Sequence, residues 1–254
     1  MSAAHESAVV AQFGPQARAY VESAVHAEGA DLEALEAIVR ERAPAHALDL
    51  GAGGGHVAYR MARHARTVTA YDLSPEMLAA VAATARERGL DNIVTAEGAA
   101  ERLPFDAGTF DFLATRYSAH HWRSFEAGLR EARRVLESGS RAVFVDCYAP
   151  GQALFDTHLQ AIELLRDTSH CRDYSAAEWI AGLGRAGFAL IGVRTWRVRL
   201  DFASWIARMR TPDVNAGAIR ALQKAASAET KAHFAIEDDG SFQIDVMMAE
   251  AAAE

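Results

Sequence analysis

Residues 47–62 read ALDLGAGGGHVAYRMA: an apolar run, then glycine at 51, 53, 54 and 55, then the start of a helical pattern. A short buried strand that turns on glycines into a helix is the repeating unit of open parallel sheets, whose ligands sit beyond the carboxyl ends of the strands. Glycine at such a turn lets the backbone approach a ligand that a Cβ would exclude. A tight turn without a ligand is the alternative, but every glycine costs backbone entropy on folding, and a bare turn does not call for four of them. The stretch therefore predicts a parallel sheet with a ligand at the end of its first strand.

Working outward, short apolar strands alternate with amphipathic helices. Candidate strands are AHALDL (45–50), TVTAYDL (67–73), NIVTAEG (92–98), FDFLATRY (110–117) and RAVFVDCY (141–148). Between the second and third lies SPEMLAAVAATARERG (74–89), where Ser74 suits the N-cap, Pro75 the first helical position, and Gly89 the exit. Leu78, Val81, Ala82 and Ala85 form its apolar stripe. In FEAGLREARRVLESG (125–139), Phe125, Leu129, Ala132 and Leu136 share one face, so the spacing predicts a crossover helix running to Gly139. Beyond residue 150 the alternation weakens into helices near 151–168 and 175–186, the β-branched run FALIGVRTWRVRL (188–200), more helices, and a last strand, SFQIDVMMAE (241–250). Ahead of the first strand, GPQARAYVESAVHA (14–27) and ADLEALEAIVRERA (30–43) read as two helices suited to a lid.

A chain of 254 residues, half of them hydrophobic, can bury the core of one large α/β domain. We read 1–254 as a single domain: 1–43 a helical lid, 44–150 the ligand-binding core, and 151–254 the substrate-side helices and final strands. No basic leader with an apolar run and no segment of membrane-spanning length is found, so a soluble cytoplasmic protein is expected. Cys147 and Cys171 lack CxxC spacing, and His5, His46, His64, His158 and His233 are scattered, so neither a disulfide framework nor a metal site is expected. The formal net charge of -8 argues against a nucleic-acid or anionic-membrane surface.

The ligand follows from the acidic residues around the glycines. A dinucleotide fingerprint, GxGxxG, counted from Gly51 would end on His56, so its third glycine is missing. The frame is instead DxGxGxG, with Asp49 two residues before Gly51. A carboxylate there is awkward for a pyrophosphate and suits an ammonium group. Asp72, about twenty residues on at the end of the second strand, suits a pair of ribose hydroxyls. The expected ligand carries ribose and positive charge, and needs no phosphate.

Residues 49–55, Asp72 and the block EGAAERLPFDAGTFDFLATRYSAHHW (97–122) resemble the class I S-adenosylmethionine-dependent methyltransferases. The likeness spans nearly the whole chain. It is similar to the ubiquinone/menaquinone-biosynthesis, UbiE-like branch (Methyltransf_11 type). QFGPQARAYVESAVHAEGADL, LRDTSHCRDYSAAEW and WIARMRTP bring it nearer the YafE-type bacterial proteins. The resemblance implies a Rossmann-like α/β fold: a seven-stranded, mostly parallel sheet, last strand antiparallel, with helices on both faces and an N-terminal helical lid. It implies S-adenosylmethionine as cofactor, S-adenosylhomocysteine as product, and a small-molecule methyl acceptor rather than nucleic acid. Carried over by position, it implies Asp49, Gly51, Gly53, Gly55 and Asp72 as cofactor contacts, Leu73 or Met77 over the adenine, and Ala100 and Glu101 at the adenine edge. Ala99 stands where related chains carry an Asp for the adenine amino group, so that contact has to come from elsewhere. Arg116-Tyr117-Ser118-Ala119-His120-His121 replaces the Arg–Asn pair of the quinone enzymes, which argues against a quinone acceptor.

A sulfonium already activates its methyl group, so the protein's main task is positioning, with a general base where the nucleophile is protonated. The tandem His120 and His121, just past the fourth strand on the ligand side, are the candidate catalytic pair, with loop orientation or helix capping as their structural alternative. Arg116 is expected to meet the cofactor carboxylate or to serve a structural salt bridge. Tyr20 is a candidate cover for the sulfonium by cation–π contact, or a core aromatic. His170, Arg172, Arg208 and Arg210 are candidates for lining an acidic-substrate pocket, or charged faces in solvent. Two other classes stay open at this point: an adenosyl-ligand-binding protein without turnover or with a modified cofactor, and, more weakly, an NAD-dependent oxidoreductase. The methylated atom (carbon, oxygen or nitrogen) and the oligomeric state are not encoded in these motifs. Replacing Asp72 by Ala is expected to weaken binding of S-adenosylhomocysteine roughly ten- to a hundredfold, the weight of a charge-assisted hydrogen-bond pair, as read by calorimetry.

Overall fold

The structure, a computed structural model, describes residues 3–17 and 28–254. Its strands are β1 (His46–Leu50), β2 (Thr67–Asp72), β3 (Ile93–Glu97), β4 (Phe110–Arg116), β5 (Leu136–Cys147), β6 (Phe188–Leu200) and β7 (Phe242–Ala253). They form one seven-stranded sheet in the order β3-β2-β1-β4-β5-β7-β6. The β1–β2, β2–β3, β1–β4 and β4–β5 pairs are parallel, whereas β7 runs antiparallel to both β5 and β6. This is the Rossmann-like sheet expected from the sequence.

The described helices are α1 (Ala3–Phe13), α2 (Ala30–Arg42), α3 (His56–Met61), α4 (Pro75–Glu87), α5 (Phe125–Arg134), α6 (Ala153–Arg166), α7 (Ala176–Ala186), α8 (Phe202–Arg208), α9 (Asp213–Ala225) and α10 (Ala228–Phe234). Side chains alternate across each strand, so one chain feeds two cores. Leu48, Leu50, Leu113 and Phe144 face one side, where α5 and α7 add Leu129, Trp179 and Leu183. Ala47, Phe112, Ala114, Val143 and Val145 face the other, where α2, α3 and α4 add Leu35, Val39, Val57 and Val81. A third cluster, with Phe155, Ile162, Trp205, Ile219 and Phe234, packs α6 and α8 to α10 against Leu200, Phe242 and Ile244 of the antiparallel strands. No helix among the described residues is long and apolar enough to cross a membrane.

Local chemistry sets the element ends. Ser74 caps α4 by accepting from Met77 N at 3.2 Å, and Pro75 occupies the first turn. Ser175 and Glu178 form a capping box at the start of α7, which Gly187 ends in the left-handed conformation. The crossover helix is shorter than its periodicity predicts: α5 stops at Arg134, because Val135 O accepts from Phe110 N at 3.0 Å and Leu136 opens β5 opposite Phe110. The register then shifts, with Phe112 opposite Arg141, and absorbs Glu137 to Ser140 in an irregular lead-in. Leu136 falls on the apolar stripe of the predicted helix and is buried in the strand, so its hydrophobicity does not distinguish them.

At the N-terminal end, α1 covers residues that carry no clear pattern. Of the helix expected over 14–27, Gly14–Gln16 forms a 3-10 turn and residues 18–27, Tyr20 among them, lie outside the described residues. The helix expected over 30–43 is α2, and its Leu32, Leu35 and Val39 are fully buried in the core beside α3. Phe112, fully buried at the middle of the central strand β4 and outside both cavities described below, tests the packing argument. Phe112→Ala should cost about 3–5 kcal/mol in urea unfolding, as expected for truncating an aromatic in a close-packed core.

Candidate functional site

A cavity of about 150 Å³ opens at the carboxyl ends of β1, β2 and β4, where the sheet order reverses direction from β1. Asp49, Gly51, Gly53, Asp72, Leu73, Met77, Ala100, Glu101, Arg116 and His121 all line it. Residues separated by up to 72 positions in sequence are thus brought to one place, as the alternation implies. Gly55 is the exception among the expected cofactor contacts. It stands outside the lining, and a Cβ there would lie 2.8 Å from the Tyr59 ring and 2.9 Å from Val81, so its bareness serves the packing of α3 and α4.

The other two glycines divide the remaining work. Gly51 has φ +76°, and a Cβ there would overlap Ser118 Oγ, whose hydroxyl also accepts from Trp122 Nε1 at 3.1 Å. Gly53 has φ +50°, and a Cβ on it would meet nothing within 4 Å. That is the point at which a ligand can lie directly on the backbone. Asp72 holds the turn in place: its two oxygens accept from Gly53 N at 2.8 Å and Ser74 N at 2.9 Å. A carboxylate has about four acceptor positions, so the same group retains capacity for hydroxyls. Asp49 is buried and accepts from Ala58 N at 2.8 Å at the start of α3. Burial raises its carboxyl to about 7, with Asp72 adding to the rise and Ala58 N–H and Arg116 opposing it. The cavity thus has bare backbone, a ribose-type acceptor and an anionic group that gains by meeting a cation. These features fit an adenosyl amino-acid ligand.

A second cavity, of about 280 Å³, adjoins the first, and Phe13, Arg116, Tyr117 and His121 line both. One wall is apolar, from Trp196, Val198, Leu200, Ile244 and Val246 of β6 and β7. The facing wall is polar, with His120, Glu163, Arg166, Asp167, His170, Asp173 and Arg208. His170 and Arg208 are therefore brought to the site as expected. Arg172 and Arg210 are not: Arg172 Nη2 bonds Asp156 at 3.2 Å and Glu178 at 3.4 Å, and Arg210 Nη2 donates to Gln12 O of α1 at 3.2 Å. Arg116 is built into a buried ion pair, its Nε 2.6 Å from Asp31 Oδ2 of α2, with its guanidinium 4.6 Å from the centre of the Tyr117 ring.

The adjacent histidines differ in charge. His120 Nδ1 lies 2.6 Å from Asp146 Oδ1. Burial alone would lower this imidazole, but the charge and hydrogen bond of Asp146, with Asp173 and Glu163 beyond, outweigh it and carry His120 up to about 9. It is an imidazolium at neutral pH. His121 goes down, through burial and then the charge on His120. Its Nδ1 faces Ser169 O at 3.2 Å, which fixes the proton there and leaves Nε2 as the basic atom. Phe13 of α1 packs edge-on to the same ring, with centroids 5.0 Å apart. His170 is lowered to about 2 by burial and the two neighbouring histidines, and its Nε2 meets Gln160 Oε1 at 3.2 Å. Among the described residues no group of His, Cys, Asp and Glu is arranged to hold a metal ion.

Four residues in or beside the two cavities escape the sequence reading. Asp146 interrupts an otherwise apolar strand beside Cys147, and that interruption is the one signal that marked it. Asp167 and Asp173 sit in LRDTSHCRDY among other charges, with nothing to single them out. Phe13 lay ahead of the expected lid helices.

The Methyltransf_11 family, described as a methyltransferase domain, matches residues 48–144. The uncharacterized protein YafE of Escherichia coli (strain K12) is 43% identical over 197 residues, covering 78% of this chain and 95% of that protein. The uncharacterized methyltransferase YcgJ of Bacillus subtilis (strain 168) is 34% identical over 200 residues, 79% of each chain. The crystal structure of the YcgJ protein superposes with a TM-score of 0.84 at 30% identity, covering 88% of this chain and 98% of that one.

The raised Asp49 carboxyl predicts a pH dependence. A ligand ammonium set against it would require the carboxylate, so the complex would hold fewer protons than the free protein and affinity would rise with pH until Asp49 is ionised. S-adenosylhomocysteine affinity should therefore be level above pH 7 and fall by up to about tenfold per unit below it, and Asp49→Asn should flatten the profile in calorimetric titrations.

Proposed function

Because the chain belongs to the class I S-adenosylmethionine-dependent methyltransferases, we propose that it transfers the methyl group in line to a small-molecule acceptor held in the second cavity. Its cofactor is S-adenosylmethionine. When bound, the cofactor supplies an electrophilic methyl on a sulfonium. The observation that carries the proposal is the shared boundary: Phe13, Arg116, Tyr117 and His121 belong to both cavities, so groups held in one can meet groups held in the other.

In this reading Gly53 offers backbone to the cofactor, Asp72 holds its ribose, Asp49 its ammonium, and Leu73 and Met77 cover the adenine beside Ala100 and Glu101. Arg116 ties α2 to the end of β4 through Asp31 and so fixes the boundary. Of the histidine pair, His121 is the one able to accept a proton, being neutral at physiological pH with Nε2 unprotonated, although burial and the charge on His120 push it down to about 3 and make it a weak base. His120, held protonated by Asp146, places a positive charge against His121 and keeps it neutral. A cavity of about 280 Å³ lined by side chains, Trp205 and Met209 among them, suits a small molecule rather than a polymer. Two separate cysteines, Cys147 and Cys171, both unpaired, suit work in the cytoplasm.

Calorimetric titration with S-adenosylmethionine, S-adenosylhomocysteine and NAD tests the cofactor side. Binding of the two adenosyl ligands with none of NAD is expected, and the reverse would defeat the proposal. A screen with labelled methyl groups then finds an acceptor, on which His121→Ala should lower kcat by about a hundredfold or more while S-adenosylhomocysteine affinity changes little. Loss of cofactor affinity in that variant would make His121 structural.

A further inference from the structure

Reading the second cavity as the acceptor site leaves one of its groups without a task. Asp173 is 2% exposed and lines this cavity, yet its Oδ2 has no hydrogen-bond partner among the described residues. The nearest donor-bearing ring, His170, is 3.9 Å away and directs its Nε2 to Gln160 Oε1. The backbone on either side is fully committed, with Asp173 N donating to Gln160 Oε1 at 3.1 Å and Asp173 O accepting from Gln160 Nε2 at 2.8 Å. The residue is thus rigidly set and its outer oxygen is unsatisfied. Burial, with the charge of Glu163 behind it, pushes the Asp173 carboxyl up to about 8, and a buried oxygen in that position costs free energy until a hydrogen-bond partner reaches it.

The other two carboxylates of the wall are each held through one oxygen. Glu163 Oε2 bonds Arg166 at 3.3 Å, and Asp167 Oδ1 accepts from Ser169 N at 2.8 Å and Ser169 Oγ at 2.7 Å. Asp173 is the acid of this wall with a buried oxygen that no described residue bonds. Beside it stands His120, whose Nδ1 is taken by Asp146, so the free edge of its ring, Nε2, is the donor. His120 and Asp173 are near enough for each to shift the other's titration. A ligand ammonium at this spot would satisfy Asp173 but confront the His120 imidazolium and the guanidiniums of Arg166 and Arg208. A hydroxyl satisfies both, since it donates once and accepts through its lone pairs.

We propose that the acceptor carries a hydroxyl group on an apolar body, the hydroxyl donating to Asp173 Oδ2 and accepting from His120 Nε2 while the body lies against Trp196, Val198 and Ile244. The inference rests on the acceptor-site reading above and adds the chemical class of the molecule that site selects. Asp173 is then a specificity-determining residue rather than part of the cofactor site, which it does not line.

The test uses matched probes on the full chain: phenol with anisole, 2-naphthol with 2-methoxynaphthalene, and cyclohexanol with methoxycyclohexane, each titrated calorimetrically with and without saturating S-adenosylhomocysteine. In at least one pair the hydroxyl compound should bind about tenfold or more tighter than its methyl ether, the weight of one hydrogen bond to a charged group. Asp173→Asn, which keeps the shape, should bring the two members of that pair to within about threefold. Its circular dichroism and S-adenosylhomocysteine affinity report whether it folds, and the ether comparison in the unaltered protein stands even if it does not. Equal binding of alcohol and ether in every pair, no binding of any probe, or a preference that survives Asp173→Asn in folded protein would overturn the proposal. Failure of S-adenosylhomocysteine to bind would count against the cofactor reading alone, because the probes are also compared without it.

Discussion

Both oxygens of Asp72 are spoken for before any ligand arrives, one by Gly53 N–H and one by Ser74 N–H, and much of the site depends on that arrangement. The carboxylate ends β2, holds the glycine turn that leaves β1, and sets the first turn of α4, so three elements converge on one half-buried group. Burial raises its pKa, and the backbone donors from Ser74, Gly53 and Leu73 oppose the rise. The turn keeps the positive φ of Gly53 because Asp72 holds its N–H, and Asp72 faces the first cavity because the turn holds it, so the atoms that set the shape are those proposed to hold the ribose.

The sheet was legible because it follows from a short-range rule. Short apolar runs set between helical patterns located all seven strands, β5 with a start five residues late, and the Asp49 to Gly55 frame lies at the first cavity. What the glycine run did not disclose was why each glycine is there. Gly51 is bare for the sake of Ser118 and Gly55 for Tyr59 and Val81, whereas Gly53 faces open space. Those reasons lie in residues up to 67 positions away, which no local pattern encodes. The end of α5 was missed for a related reason, since an apolar Leu136 suits the stripe of a helix as well as a strand and pairing with Phe110 decides the matter.

The second cavity was the least legible part, and its logic is electrostatic. His120 and His121 are neighbours in sequence with nearly identical intrinsic chemistry, and their difference comes from partners. Asp146, 26 positions later, faces one, and Ser169 O, 48 positions later, faces the other. Charging the first then discourages charging the second, whose ring centre is 4.2 Å away. Of four residues proposed to line this pocket from their place in charged motifs, His170 and Arg208 do so, while Arg172 and Arg210 are drawn to carboxylates and a helix carbonyl elsewhere. A charged residue in a loop shows little in sequence of which neighbour will claim it.

The placement of β7 has a consequence for how the molecule comes into being. It lies between β5 and β6, although both precede it in the chain, and its Ile244 and Val246 supply part of the apolar wall of the second cavity. During synthesis the cofactor half of the sheet can assemble as its strands emerge, but β5 and β6 must wait with their facing edges unpaired until the segment that joins them has been made. Such edges are templates for the wrong partner. The nascent chain is thus most vulnerable to misassembly between the appearance of β6 and that of β7, while the chamber assigned to the acceptor still lacks a wall.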